Sequence, residues 1–192
     1  MKYIFALLLI AWVILNSVLI ASTPLGVGIV CNTLDLNRCA SASGLAGVVL
    51  LGPVGELSNY GLNENEISHM SDVSVLLDKV EVLWVLATVV MATVLVKKKE
   101  EFRYIVRLGI RMITRGGAIL LASAVLAWRP FFDTFHKVFF PQGNWAFPAE
   151  SLLINIYPEI FWQIMIIVIF VLIGVIFFLL HTFSNIYKYG KE

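Results

Sequence analysis

The sequence predicts an all-α membrane protein with four transmembrane helices, and three observations carry that expectation. Of its 192 residues 59% are hydrophobic and only 14% charged, and the mean hydropathy of +0.88 exceeds what a water-soluble domain of this size reaches. Four apolar runs approach the length that crosses a bilayer, and basic residues gather on one side of those runs. A span takes about 20 residues, so four of them leave room for loops but none for a separate soluble domain. Residues 1–192 are therefore expected to form a single integral membrane domain. The net charge of +1 carries no basic excess, and no nucleic-acid partner is expected.

The first span is read at residues 3–21, nearly continuous apolar sequence after Lys2. It is too long for the core of a cleaved signal peptide and lacks a small-x-small cleavage site. The second, residues 80–96 (VEVLWVLATVVMATVLV), stops at Lys97-Lys98-Lys99, where a helix leaves the bilayer on its positive side. The third, residues 113–128, is short and extendable because Arg115 can snorkel. Its small pairs Ala118/Ala122 and Ser123/Ala127 form flat faces suited to close helix packing. The fourth, residues 161–180 (FWQIMIIVIFVLIGVIFFLL), is followed by a polar tail.

Sorted on these spans, Lys2, Lys97, Lys98, Lys99, Arg103, Arg107, Arg111, Arg115, Lys188 and Lys191 fall on one side, against Arg38, Lys79, Arg129 and Lys137 on the other. The positive-inside rule then makes both termini cytoplasmic and places the protein in the cell membrane as a multi-pass chain. From Lys99 to Arg115 a basic residue recurs every fourth position, while Phe102, Ile105, Val106 and Ile110 take another face. That pattern fits an interfacial helix on anionic lipid, and the plainer reading is that these basic residues anchor the chain and set its topology.

Residues 22–79 and 129–160 form the two outer segments, expected to carry short interfacial helices and most of the polar groups able to do chemistry. Residues 44–54 (GLAGVVLLGPV) are apolar but too short to span, so they dip into the bilayer surface or pack over the bundle. Cys31 and Cys39 are spaced for a small disulfide loop, which geometry decides. From Glu64 onward the chain reads as helix, with Glu66, His69 and Val73 on one face and Asp72 beside them. A carboxylate bonded to one imidazole nitrogen raises the basicity of the other, as a general base needs; the plainer reading is a solvated histidine. On the second segment Phe132, Phe135, His136, Phe139 and Phe140 line one side of a helix, a pattern that also serves simple interfacial anchoring. A turn-rich stretch with Asn144 and Trp145 follows, and Pro158 and Glu159 can open the last helix. His181 lies at the far end of the fourth span and is expected to be inert.

No H-E-x-x-H, G-x-S-x-G, phosphate loop or C-x-x-C occurs, which removes motif support from zincin, serine-hydrolase, nucleotide and redox readings. None of the spans carries a charge at its midplane, which disfavours a transporter.

The motifs E-x-x-H-M-x-D-V (Glu66 to Val73) and F-H-x-x-F-F-P-x-G-N-W-x-F, continuing to Y-P-E-x-F (Phe135 to Phe161), resemble a family of small four-span bacterial membrane proteins. Its characterised members are lipoprotein intramolecular transacylases. The resemblance covers about residues 60–165 and is weak over 22–60. It implies an acyltransferase that moves an O-linked acyl chain of a diacylglyceryl lipoprotein's N-terminal Cys onto that residue's α-amino group, giving a lyso-form lipoprotein. Membrane lipids are the surroundings, and neither metal nor cofactor is implied. On this reading His69, oriented by Glu66 or Asp72, is the base, and His136 assists the oxyanion or protonates the leaving oxygen, with the two roles exchangeable. Asn144 and the Trp145 N–H are candidate oxyanion donors. Two other classes compete: a non-enzymatic scaffold or lipid-binding accessory with structural histidines, and a metal-dependent membrane hydrolase using His69, His136 and Asp72 or Asp133.

Overall fold

The computed structural model describes residues 1–97 and 99–189, so Lys98 and Lys191 of the charge pattern lie outside the described residues. All regular elements among the described residues are helical: α1 (Lys2–Ser22), α2 (Pro24–Thr33), α3 (Cys39–Leu51), a 3-10 helix (Val54–Tyr60), α4 (Glu64–Lys97), α5 (Lys99–Leu126), α6 (Trp128–Phe139), α7 (Leu152–Ile156) and α8 (Glu159–Tyr189). Four of them, α1, α4, α5 and α8, are long and apolar enough to cross a membrane. The first, second and fourth expected spans fall inside α1, α4 and α8, whereas the third, 113–128, overruns α5, which stops at Leu126 with Trp128 already beginning α6.

Local sequence explains the breaks. Thr23 caps α2, its Oγ1 accepting from Gly26 N at 3.1 Å with Pro24 in the first turn, where a missing N–H costs nothing. At the head of α4, Asn63 Oδ1 accepts from Glu66 N while Glu66 Oε2 accepts from Asn63 N, a reciprocal capping box. The 34 residues of α4 extend about 51 Å at 1.5 Å per residue, well beyond a hydrocarbon core of about 30 Å. Because the apolar run begins at Val80, residues 64–79 project past it.

The start of α1 meets the start of α5, with Lys2 Nζ 3.9 Å from Glu101 Oε2 and 4.9 Å above the Tyr104 ring. The bundle thus has a basic end, and an opposite loop end built from α2, α3, the 3-10 helix, α6 and α7. Within the bundle α1 and α4 are clasped by two indole donors: Trp12 Nε1 to Thr88 Oγ1 at 2.9 Å and Trp84 Nε1 to Asn16 Oδ1 at 3.1 Å.

Two expectations change, and a third position left open is decided. Residues 99–115 are not a separate interfacial helix but the first half of α5. Phe102, Ile105, Val106 and Leu108 are buried in one cluster with Leu9, Val13, Met91 and Val94, while Arg107, Arg111 and Arg115 stay exposed. The apolar face is satisfied by neighbouring helices, which leaves it nothing to lay on a lipid surface. Ala118, Ala122, Ser123 and Ala127 are exposed, and α5 instead buries Gly117 and Ala124. The apolar stretch from Gly44 packs over the bundle as most of α3, burying Leu45, Ala46, Val48 and Val49 in the second core cluster with Leu57, Leu153, Ile156 and Phe161. A disulfide between Cys31 and Cys39 joins α2 to α3, and the Tyr157 hydroxyl donates to Ala42 O at 2.7 Å. Gly44 permits this docking, since a Cβ there would sit 2.6 Å from Tyr60 Oη.

Candidate active site at the loop end

Two histidines from distant parts of the chain meet above the bundle. His69, on the projecting part of α4, and His136, on α6, place their ring centroids 5.9 Å apart. Both are buried, at 7% and 9% exposure. The bend at Ala127 (φ −130°, ψ 51°) turns the chain from α5 into α6 so that one face of the short helix looks toward α4. Aromatic rings enclose the pair. Phe132, Trp145, Phe135 and Phe140 lie 4.0, 4.9, 5.4 and 5.6 Å from the His136 ring, and Phe140 and Phe147 lie 4.9 and 5.7 Å from His69. Phe139, expected beside His136, instead stacks outward on Phe135 at 4.8 Å.

Each imidazole is held differently. His136 Nδ1 lies 2.9 Å from the Phe132 carbonyl oxygen, an acceptor only, so Nδ1 carries the proton and Nε2 keeps its lone pair. Burial lowers the His136 pKa below 6.5, opposed by that carbonyl and by the Asp133 charge. The pKa of His69 falls to about 4, mainly through burial and secondarily through the His136 charge, against the opposing pull of Asp72 and Asn144. Its Nδ1 is buried without a hydrogen-bond partner. Burial thus favours the neutral form of both rings.

The carboxylate that serves this site is Asp72. Its Oδ2 accepts from Asn144 Nδ2 and from Gln142 Nε2, each at 2.6 Å, and Asn144 Nδ2 also reaches Ser68 Oγ at 3.1 Å. These bonds clamp the segment after α6 onto α4. Pro141 and Gln142 form a turn closed by Gly143 N to Phe140 O at 3.1 Å, and Gly143 follows with φ +81°, a conformation that glycine adopts without strain. The turn lets two side chains from one short stretch converge on one oxygen.

Glu66 sits elsewhere than its spacing suggests. It is 1% exposed, and its oxygens accept from Asn63 N at 2.9 Å and Leu153 N at 2.8 Å, tying the head of α4 to α7. Its hydrogen bonds go to backbone, not to His69. Asn144 also differs from the expected oxyanion donor: its amide protons are committed to Asp72 and Ser68, and its free group is the buried acceptor Oδ1. Trp145 lies against His136 and Phe132. No three of His, Cys, Asp and Glu gather in a metal-holding group among the described residues.

A comparison with known protein families matches residues 52–162 to the family described as lipoprotein intramolecular transacylase Lit. The match spans more than half of the chain and contains every residue of the site just described. The chain belongs to this family. No curated protein and no solved structure gives a significant match. The family segment begins at the end of α3 and ends in the first turn of α8, so it takes in α4, α5, α6 and α7 but leaves the disulfide-linked α2–α3 hairpin outside. Family membership makes the chain a membrane acyltransferase that modifies lipoproteins.

Ser68, Gln142 and Phe147 are site neighbours that the sequence reading passed over. Gln142 and Phe147 lie within the long second motif, two residues before and three after Asn144, so the signal was there without a reason to choose them. Ser68 stands next to His69, where helical spacing gives it no shared face.

Proposed function

We propose that the chain transfers an O-linked acyl group of a diacylglyceryl lipoprotein's N-terminal Cys to that residue's α-nitrogen, on the extracytoplasmic face of the cell membrane, releasing a lyso-form lipoprotein. The proposed topology has both termini in the cytoplasm and 1–192 as one membrane domain. The basic residues at one bundle end support it, as does a polar, disulfide-bearing loop end suited to an oxidising compartment.

The observation that carries the reading is a pair of buried histidines 5.9 Å apart, one of them holding its Nδ1 against a backbone carbonyl oxygen. In the reaction the α-amine, having lost its ammonium proton to solvent, attacks the ester carbonyl; a C–N bond forms and the C–O bond to glyceryl breaks. One proton must leave the nitrogen and one must reach the glyceryl oxygen. His136 Nε2 is assigned both transfers, which leaves the enzyme unchanged after a turnover. His69, a poor base because its pKa is near 4, instead donates an N–H to the developing oxyanion as a neutral imidazole. This exchanges the roles that the sequence favours. Asn144 Oδ1 and Asp72 receive the incoming amine, and the Trp145 N–H is a second oxyanion donor. Because nucleophile and ester belong to one molecule, holding them together supplies much of the acceleration.

The test is mass spectrometry of the N-terminal lipopeptide from a diacylglyceryl lipoprotein incubated with purified protein. A product of unchanged mass whose fragments show N-acyl and monoacylglyceryl groups is expected. His69→Ala and His136→Ala should each lower its rate about 100-fold to 10,000-fold. Full turnover by both variants overturns the mechanism.

A further inference from the structure

A cleft of about 380 Å³ lies between α1, α3 and α4, away from the histidine pair, and is lined by Asn16, Thr23, Leu50, Glu81, Trp84 and Val85 among others. Its polar groups are spoken for, with one exception. Asn16 is held by Trp84 and by the Trp12 carbonyl, and the Thr23 hydroxyl donates to Ile20 O and accepts from Gly26 N. Glu81 is half-buried and makes no ion pair or hydrogen bond with any described residue. Lys79 is two positions away, a spacing that does not bring side chains together on a helix. A lone carboxylate half-removed from water calls for a cation. Trp84, one turn further along α4, adds an aromatic ring to the same wall, and carboxylate with indole is the pairing that ammonium groups favour. Glu81 is also the second residue of the apolar run of α4, which sets it at the depth of lipid headgroups.

We propose that this cleft binds a zwitterionic phospholipid by its ammonium headgroup, with the Glu81 carboxylate as counter-ion and Trp84 beside it, the acyl chains lying along the exposed apolar faces of α1 and α4. The site is independent of the acyl-transfer reading, since it shares no residue with the histidine cluster.

Native mass spectrometry of the full chain released from nanodiscs containing equal dioleoyl-phosphatidylethanolamine and dioleoyl-phosphatidylglycerol provides the test. The wild type should retain the ethanolamine lipid preferentially. Glu81→Gln, which keeps the shape and removes the charge, should reduce that retention about 10-fold or more. Val85→Trp, which fills the cleft from its mouth, should reduce it without touching the carboxylate, and both variants should keep wild-type turnover. Equal retention of the two lipids by the wild type, or undiminished retention in either variant, overturns the proposal. An intact lipid preference in Glu81→Gln with a raised KM for the lipopeptide also overturns it and assigns the cleft to the substrate's own ammonium.

Discussion

Replacing Glu66 with Gln separates a structural carboxylate from a catalytic one. The side chain is 1% exposed and accepts from two backbone N–H groups, at 2.9 Å from Asn63 and 2.8 Å from Leu153. Glutamine has the same shape but only one oxygen, so its amide must confront one of those donors. Leaving one buried N–H unpaired and removing the charge from the other bond costs about 2–4 kcal/mol. For a chain of this size that corresponds to a melting temperature lower by about 5–15 °C. Tryptophan fluorescence melting of the detergent-purified variant measures the loss, and lipopeptide turnover is scored per folded molecule at a temperature below both transitions. We expect the melting point to fall and turnover to stay close to wild type. An unchanged melting point with turnover reduced 100-fold or more, the scale of a lost acid–base partner, would show that Glu66 acts through His69 and would refute the assignment.

Truncating Asp72 to Ala releases both Gln142 and Asn144, so kcat should fall at least about 10-fold for two lost charge-assisted bonds, whereas Gln142→Ala should cost less; steady-state kinetics with the lipopeptide decide. The pKa of His136 lies below 6.5, so activity should be flat around pH 7 and decline as acid protonates Nε2. An acidic limb centred above pH 6.5 in the pH–rate profile contradicts this. Stability follows the same sign: the unfolded chain takes up His69 protons near pH 6.5 and the folded chain only near 4. The contribution of the neutral ring is therefore present above 6.5 and lost as pH falls toward 4, readable as a lowered melting point. Reducing the Cys31–Cys39 bond should cost about 2.5 kcal/mol by the loop-closure relation yet leave turnover largely intact, as an assay with and without reductant would reveal.

The spans were legible because uninterrupted apolar length is a one-dimensional property. The limits of the sequence signal appear at α5, where the pattern of Lys99 to Arg115 is the same whether its apolar face meets lipid or the flanks of α1 and α8. Phe102 and Ile105 were correctly read as one face and assigned the wrong partner. His69 and His136 stood out because histidine in so apolar a chain is conspicuous, but their separation depends on the bend at Ala127, which no residue there announces. Glu66 shows the opposite failure. Its position three residues before His69 suited an orienting role, and its position three residues after Asn63 suited a capping box equally well; only the fold chose between them. The convergence of Gln142 and Asn144 on Asp72 needed the left-handed Gly143, and one glycine among 13 gives no hint of which is turned.

The hydrogen bond from His136 to Phe132 O has a consequence for how this site can vary. The group that orients the ring is main chain, one turn back on the same short helix, so it is present whatever side chain occupies position 132. No side-chain truncation outside His136 itself deletes it, and a scan of alanine variants would report His136 as having no orienting partner. Position 132 is free to change its side chain without removing the acceptor that faces Nδ1. The orientation of the ring and the packing of the aromatic shell around it are thereby uncoupled at one residue.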